Sequence, residues 1–189
     1  MTARRARHIV ATASLLELAL AALALVLGAI AGVAPLGSFS WSAWDAAIGA
    51  VATLPLFVVF RLAWTGRAPA LRKIRDELER VLPEIFGDAS VLGLAAVSLA
   101  AGIGEEVLFR GFLQAWLATL LGSLGGLLAA SAVFGVTHPI TAGYVVIAAV
   151  MGAYLGGLWE ASGNLLVPIV AHALYDFAVL RLLLRRARS

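Results

Sequence analysis

Six apolar runs, at residues 9–34, 43–64, 89–120, 125–138, 143–159 and 164–184, are separated by short polar stretches. Each lies near the roughly 20 residues that a helix needs to cross a bilayer, although the fourth and fifth are short and the third is long enough to tilt. The chain is 62% hydrophobic and 13% charged, far from the balance of about half apolar and a quarter charged seen in soluble domains, so its solvent is a membrane. The expected fold is all-α: a polytopic membrane helix bundle of about six transmembrane helices, with both termini cytosolic. The whole chain, 1–189, reads as a single membrane domain, divided into an N-terminal helix pair (9–64), an amphipathic connector (67–84) and a core (89–184).

Orientation follows from the basic residues. Arg4, Arg5 and Arg7 precede the first run. The stretch from the end of the second run to the third carries Arg61, Arg67, Arg72, Lys73, Arg75 and Arg80, and Arg185, Arg186 and Arg188 lie near the end of the chain. The alternate loops, 35–42, 121–124 and 160–163, hold neither Lys nor Arg. Six passes with the basic loops in the cytosol satisfy every loop. Trp41, Trp44, Trp116 and Trp159 then fall near the outer interface and Trp64 near the inner one. The expected location is the cell membrane, multi-pass. A net charge of +3 distributed in this way marks topology and gives no reason to expect a nucleic-acid partner. The first run is far longer than the apolar core of a signal peptide, and Pro35 would directly follow a cleavage at Gly32-Val33-Ala34, so it is expected to be retained. There are no cysteines, which excludes disulfides, thiolate metal sites and cysteine nucleophiles.

In the connector, Leu71, Ile74, Leu78, Val81 and Leu82 form one apolar stripe opposite a charged face, as in a helix lying on the cytosolic membrane surface. Within the runs the ionisable residues are few: Glu17, Glu105, Glu106, Arg110, His138, His172, Asp176 and, near the last end, Arg181. A charge at a helix centre costs on the order of 3 kcal/mol, so each of these is a functional suspect. On a helix Glu106 and Arg110 lie one turn apart and can form an ion pair. Glu105 then points about 140° away and loses its obvious partner, as suits a general base or a metal ligand; a structural triad joining helices is the alternative. His172 and Asp176 share a face at i and i+4, where the carboxylate orients the imidazole or ligates with it. His138 ends the fourth run before Pro139. Glu17 stands alone in the first run and reads as structural or lumen-facing.

Taken in order, Glu105-Glu106-x-x-x-Arg110, Phe134-x-x-x-His138 and His172-x-x-x-Asp176, with the flanking stretches EEVLFRGFLQ, SAVFGVTHP and GLWEASGNLLVPIVAHALYDF, resemble the CPBP family of intramembrane glutamate-type or metal-dependent proteases. That family includes the type II CAAX prenyl endopeptidases and the Abi proteins. The resemblance covers about 89–184. It implies that Glu105 activates a water with help from His138, that Glu106 and Arg110 support it, and that His172 and residue 176 stabilise the oxyanion. The family commonly has asparagine where this chain has Asp176. An ionised aspartate only accepts hydrogen bonds, so Asp176 stays protonated, orients His172 or binds a metal.

The implied activity is an intramembrane endopeptidase that cuts peptide or membrane-protein substrates arriving from the cytosolic side. A non-catalytic immunity or scaffold protein of the same fold is the alternative, and a transporter or proton relay is disfavoured by the lack of an inverted repeat. Zn2+ held by Glu105, His138, His172 and Asp176 and a metal-free mechanism are both compatible with the sequence. Donor atoms roughly 3–4 Å apart around one point would fit a metal with bonds near 2 Å, and separations of about 5–6 Å would favour a water-bridged carboxylate.

Overall fold

The computed structural model describes residues 3–186, so Arg188 of the terminal basic cluster lies outside the described residues. The elements are α1 (Ala3–Ala31), α2 (Ala43–Thr65), α3 (Pro69–Phe86), α4 (Val91–Glu106), a π-helical segment (Val107–Gln114), α5 (Ala115–Val136), α6 (Ala142–Ser162) and α7 (Leu166–Arg186). No strand occurs among the described residues. Five helices are long and apolar enough to cross a membrane, the longest spanning Val91–Val136. That helix is not straight. At Gly122 the backbone adopts φ 75° and ψ 167°, a conformation open to glycine. Beyond it, Gly126 packs against the backbone of Ala118 and Gln114. Residues 118 and 126 would be about 12 Å apart in a straight helix, so α5 is a hairpin of two arms. The second arm, 123–136, rises only about 21 Å and is a half-span.

The two ends of the bundle are chemically distinct. At one end, Val10 of α1, Leu82 and Phe86 of α3, Leu94 of α4 and Leu184 of α7 share one apolar cluster. The two described termini therefore lie together, with the basic loops. At the other end the lysine- and arginine-free loops meet. The Asn164 amide donates to Asp45 Oδ2 (2.8 Å) and to the Ser40 carbonyl (2.9 Å), and the Trp159 indole N–H donates to Ser38 Oγ (2.9 Å). Ser123, beside the α5 reversal, donates to Glu160 (2.8 Å).

The connector packs its apolar stripe against the bundle. Ile74 and Leu78 of α3 are buried in protein, against Phe60, Trp64 and Leu183, with Tyr144 and Tyr175 packed alongside. The ends of α2, α6 and α7 present aromatic surface to α3, so its apolar stripe has a protein partner and does not need lipid. Arg75 fastens the helix further by donating to the carbonyls of Trp64 and Gly66 at the end of α2.

Candidate active site

The stretch AGIGEEVLFRG places its charges by means of its glycines. A Cβ on Gly102 would sit 2.9 Å from the Ile169 carbonyl oxygen of α7, and one on Gly104 would sit 1.9 Å from the Glu17 carbonyl oxygen of α1. With hydrogen at both positions, α4 wedges between α1 and α7, and the next two residues, Glu105 and Glu106, enter the centre of the bundle. The ordinary helix ends there and the chain continues as the π-helical segment. Wider turns of this kind recur at functional sites.

Glu106 is the hub. Its side chain is fully buried and its Oε1 accepts from Arg110 Nη1 (2.8 Å) and from His172 Nδ1 (2.7 Å). Arg110, also buried, donates its second amino group to the Gly152 carbonyl (2.8 Å) and lies over the Phe134 ring, 4.6 Å from the centroid. The guanidinium is thus matched by a carboxylate, a carbonyl and a π-face, which a charge away from water requires. One turn further on, Gln114 repeats the brace by donating to the Gly156 carbonyl (3.4 Å) and to Glu160 (3.1 Å).

This hub sets the histidine tautomers. A carboxylate held by Arg110 accepts from His172 Nδ1, and the Phe134 carbonyl accepts from His138 Nδ1 at 2.7 Å. Both Nδ1 atoms therefore carry hydrogen, and in the neutral rings both Nε2 atoms present lone pairs. Those lone pairs face Glu105, whose Oε2 lies 3.6 Å from His138 Nε2 and 4.0 Å from His172 Nε2. His172 Nε2 is also 3.5 Å from Asp176 Oδ2. None of the three separations is a good direct hydrogen bond. Glu105 Oε2 is buried and has no hydrogen-bond partner among the described residues.

By kind, two imidazole lone pairs and two carboxylates suit zinc, and separations of 3.5–4.0 Å fall in the range expected for ligands of one ion. The placement does not complete the set. The contacts run as a chain, His138–Glu105–His172–Asp176, and among the described residues no three or more His, Cys, Asp or Glu converge into a group that holds a metal.

The structure brings together all six residues singled out from the sequence, from α4, the π-helical segment, the turn after α5, and α7. Glu17, read as structural or lumen-facing, has a buried Oε2 without a hydrogen-bond partner among the described residues, and its backbone lies against Gly104. A count along the chain could have found it. Glu17 is 14 residues from Ala3, Glu105 is 14 from Val91 and His172 is 14 from Arg186, so all three stand about 21 Å above the basic end. The bracing role of Gln114 was also missed; its signal is the matched spacing of 110 and 114 with Gly152 and Gly156.

Residues 87–178 match the family model described as type II CAAX prenyl endopeptidase Rce1-like. No curated protein and no solved structure matches the chain. The matched segment contains Glu105, Glu106, Arg110, His138, His172 and Asp176, while α1, with Glu17, lies outside it. The family is one of membrane proteases, which agrees with a buried glutamate faced by two imidazoles inside a bundle of apolar helices. Through residues 87–178, this chain is similar to the Rce1-like type II CAAX prenyl endopeptidases, which supports the family resemblance carried by its motifs.

Proposed function

We propose that the protein is an intramembrane endopeptidase in which Glu105 activates the hydrolytic water. The observation that supports this best is the buried, unpartnered Oε2 of Glu105, faced by two Nε2 lone pairs whose rings are locked by their Nδ1 hydrogens. A cluster of acceptors without a donor suits a water, whose two hydrogens go to Glu105 and His138 and whose oxygen lone pair is left for a substrate carbonyl.

In the first step an O–H bond of the water breaks, its proton passes to Glu105, and the oxygen bonds to the carbonyl carbon. His172, when protonated at Nε2, donates to the developing oxyanion; Asp176 beside it balances that charge. In the second step the C–N bond breaks and Glu105 returns the proton to the leaving nitrogen, so the carboxylate is regenerated. Glu106 and Arg110 act through His172, holding its ring in one tautomer and one orientation. The substrate is a peptide segment reaching the site from the basic end, which is cytosolic by the distribution of arginines, with the protein spanning the cell membrane. Prenylated substrates are not required by anything in the site.

The test is cleavage of a mixed peptide library by the purified protein in nanodiscs, read by mass spectrometry, beside Glu105→Gln. The wild type should cut and Glu105→Gln should lose at least about 10²-fold while keeping its unfolding midpoint. Equal cleavage by the two proteins would overturn the role of Glu105. The absence of any cut product from the wild type would favour the non-catalytic scaffold.

A further inference from the structure

Arg181, a suspect on sequence grounds, has no place in the active site. It stands five residues before the end of α7, about 7.5 Å inside the basic end of the bundle, and is half-buried. Arg185 follows one turn later on the same face of the helix. Both arginines line a cavity of about 310 Å³ whose other walls include Ala89, Val91, Leu94 and Leu184, between the start of α4 and the end of α7. Neither guanidinium has an ion pair or a hydrogen bond among the described residues. No carboxylate lines the cavity, and Asp88, the acidic residue beside Ala89 in the chain, already has a partner.

Two positive charges at the edge of the hydrocarbon thus face a cavity with no protein counter-charge. Basic pockets between spanning helices at such a level take phosphate headgroups, and the planar guanidinium fork matches phosphate oxygens in pairs. The volume is at the lower end of small-ligand sites, which suits a headgroup and not a whole lipid. The floor is apolar, since Leu94 and Leu184 are each 3% exposed, and an apolar floor suits the glycerol end of a lipid better than a free ion. The surface beside the cavity continues the fit. On α4, residues 92, 96 and 99 are exposed on one helical stripe leading away from the basic end, with Leu92 80% and Leu99 52% exposed. Acyl chains can lie along that stripe while the phosphate sits between the arginines.

We propose that this cavity binds the phosphate of an anionic phospholipid, held by Arg181 and Arg185, with the acyl chains against the exposed stripe of α4. The lipid bridges the ends of α4 and α7, the helices that carry Glu105 and His172. Binding is independent of whether a peptide is cut.

The test uses the full chain in a neutral detergent, with phosphatidylglycerol, phosphatidylcholine or inorganic phosphate added. Native mass spectrometry counts the bound lipid, and tryptophan fluorescence follows thermal unfolding. Phosphatidylglycerol should bind saturably and raise the unfolding midpoint, and phosphatidylcholine should need at least about tenfold more. Arg181→Gln/Arg185→Gln should raise the half-saturating phosphatidylglycerol concentration at least about tenfold. Arg61→Gln/Lys73→Gln removes the same charge from exposed positions nearer α3 and should stay within about threefold of wild type. An equal effect of the two double variants means a general surface field and overturns the site, as does a wild type that binds both lipids alike. Stabilisation by inorganic phosphate at the concentrations at which phosphatidylglycerol acts overturns the lipid as its occupant.

Discussion

Gly104→Ala adds one methyl group where α1 and α4 touch. The new Cβ would lie 1.9 Å from the Glu17 carbonyl oxygen and 2.6 Å from its carbonyl carbon. Both are backbone atoms, so no rotamer change relieves the clash. Opening the oxygen contact to at least about 3.0 Å separates the two helices by roughly 1.1 Å, an overpacking that typically costs 1–3 kcal/mol. Alanine is also the better helix former, by about 1 kcal/mol, and that effect acts in the opposite direction. Gly157→Ala in α6 isolates the second effect, because nothing lies within 4 Å of a Cβ there. Equilibrium unfolding in mixed detergent should therefore show Gly104→Ala destabilised by up to about 2 kcal/mol and Gly157→Ala neutral or up to about 1 kcal/mol more stable. Peptide cleavage should fall with the first variant alone, since a displacement of about 1 Å at a catalytic base can cost 10²-fold. If Gly104→Ala is as stable as Gly157→Ala and as active as wild type, α4 is not wedged against Glu17 and the placement of Glu105 argued above is wrong.

Arg110→Met leaves Glu106 without its guanidinium and the Gly152 carbonyl without its donor, so the same unfolding titration should record a loss of about 3–5 kcal/mol, partly recovered in Arg110→Met/Glu106→Gln. A loss under about 1 kcal/mol would mean the pair is solvated. If Glu105 acts on water without a metal, dialysis against a strong chelator should leave peptide cleavage within about twofold; complete loss restored by Zn2+ would refute this. The cysteine-free chain suits single-cysteine labelling. Ile140→Cys in the turn after α5 should react with a charged, membrane-impermeant thiol reagent, and Val58→Cys, exposed on α2, should not; the reverse order would place the turn in lipid.

The spans and the pairing of Glu106 with Arg110 were legible because each depends on local periodicity: a run of apolar residues long enough to cross, or two charges one turn apart. The third and fourth runs were drawn separately across Gly122, where the chain does reverse. Tertiary partners were less legible. The stripe on α3 reads the same whether lipid or protein covers it, and only the aromatic ends of α2, α6 and α7 decide for protein. Glu17 was hard to place for a related reason. No carboxylate, histidine or arginine near it in sequence hinted at a site, and its neighbours come from α4, the turn after α5, and α7. The tautomers of His138 and His172 rest on a carbonyl and a carboxylate that sequence spacing does not identify as acceptors.

The half-span of α5 links the fold to the chemistry. Its second arm stops at Val136 after about 21 Å. The turn that follows holds His138 Nε2 3.6 Å from Glu105 Oε2, and Gly143 just beyond it lies against Ile74 of α3. Thr137, Pro139 and Ile140 in that turn are exposed, whereas Gly102 and Gly104 seal α4 against α7 and α1 behind Glu105. The turn after α5, and not the identity of the histidine alone, is what sets residue 138 against a buried glutamate.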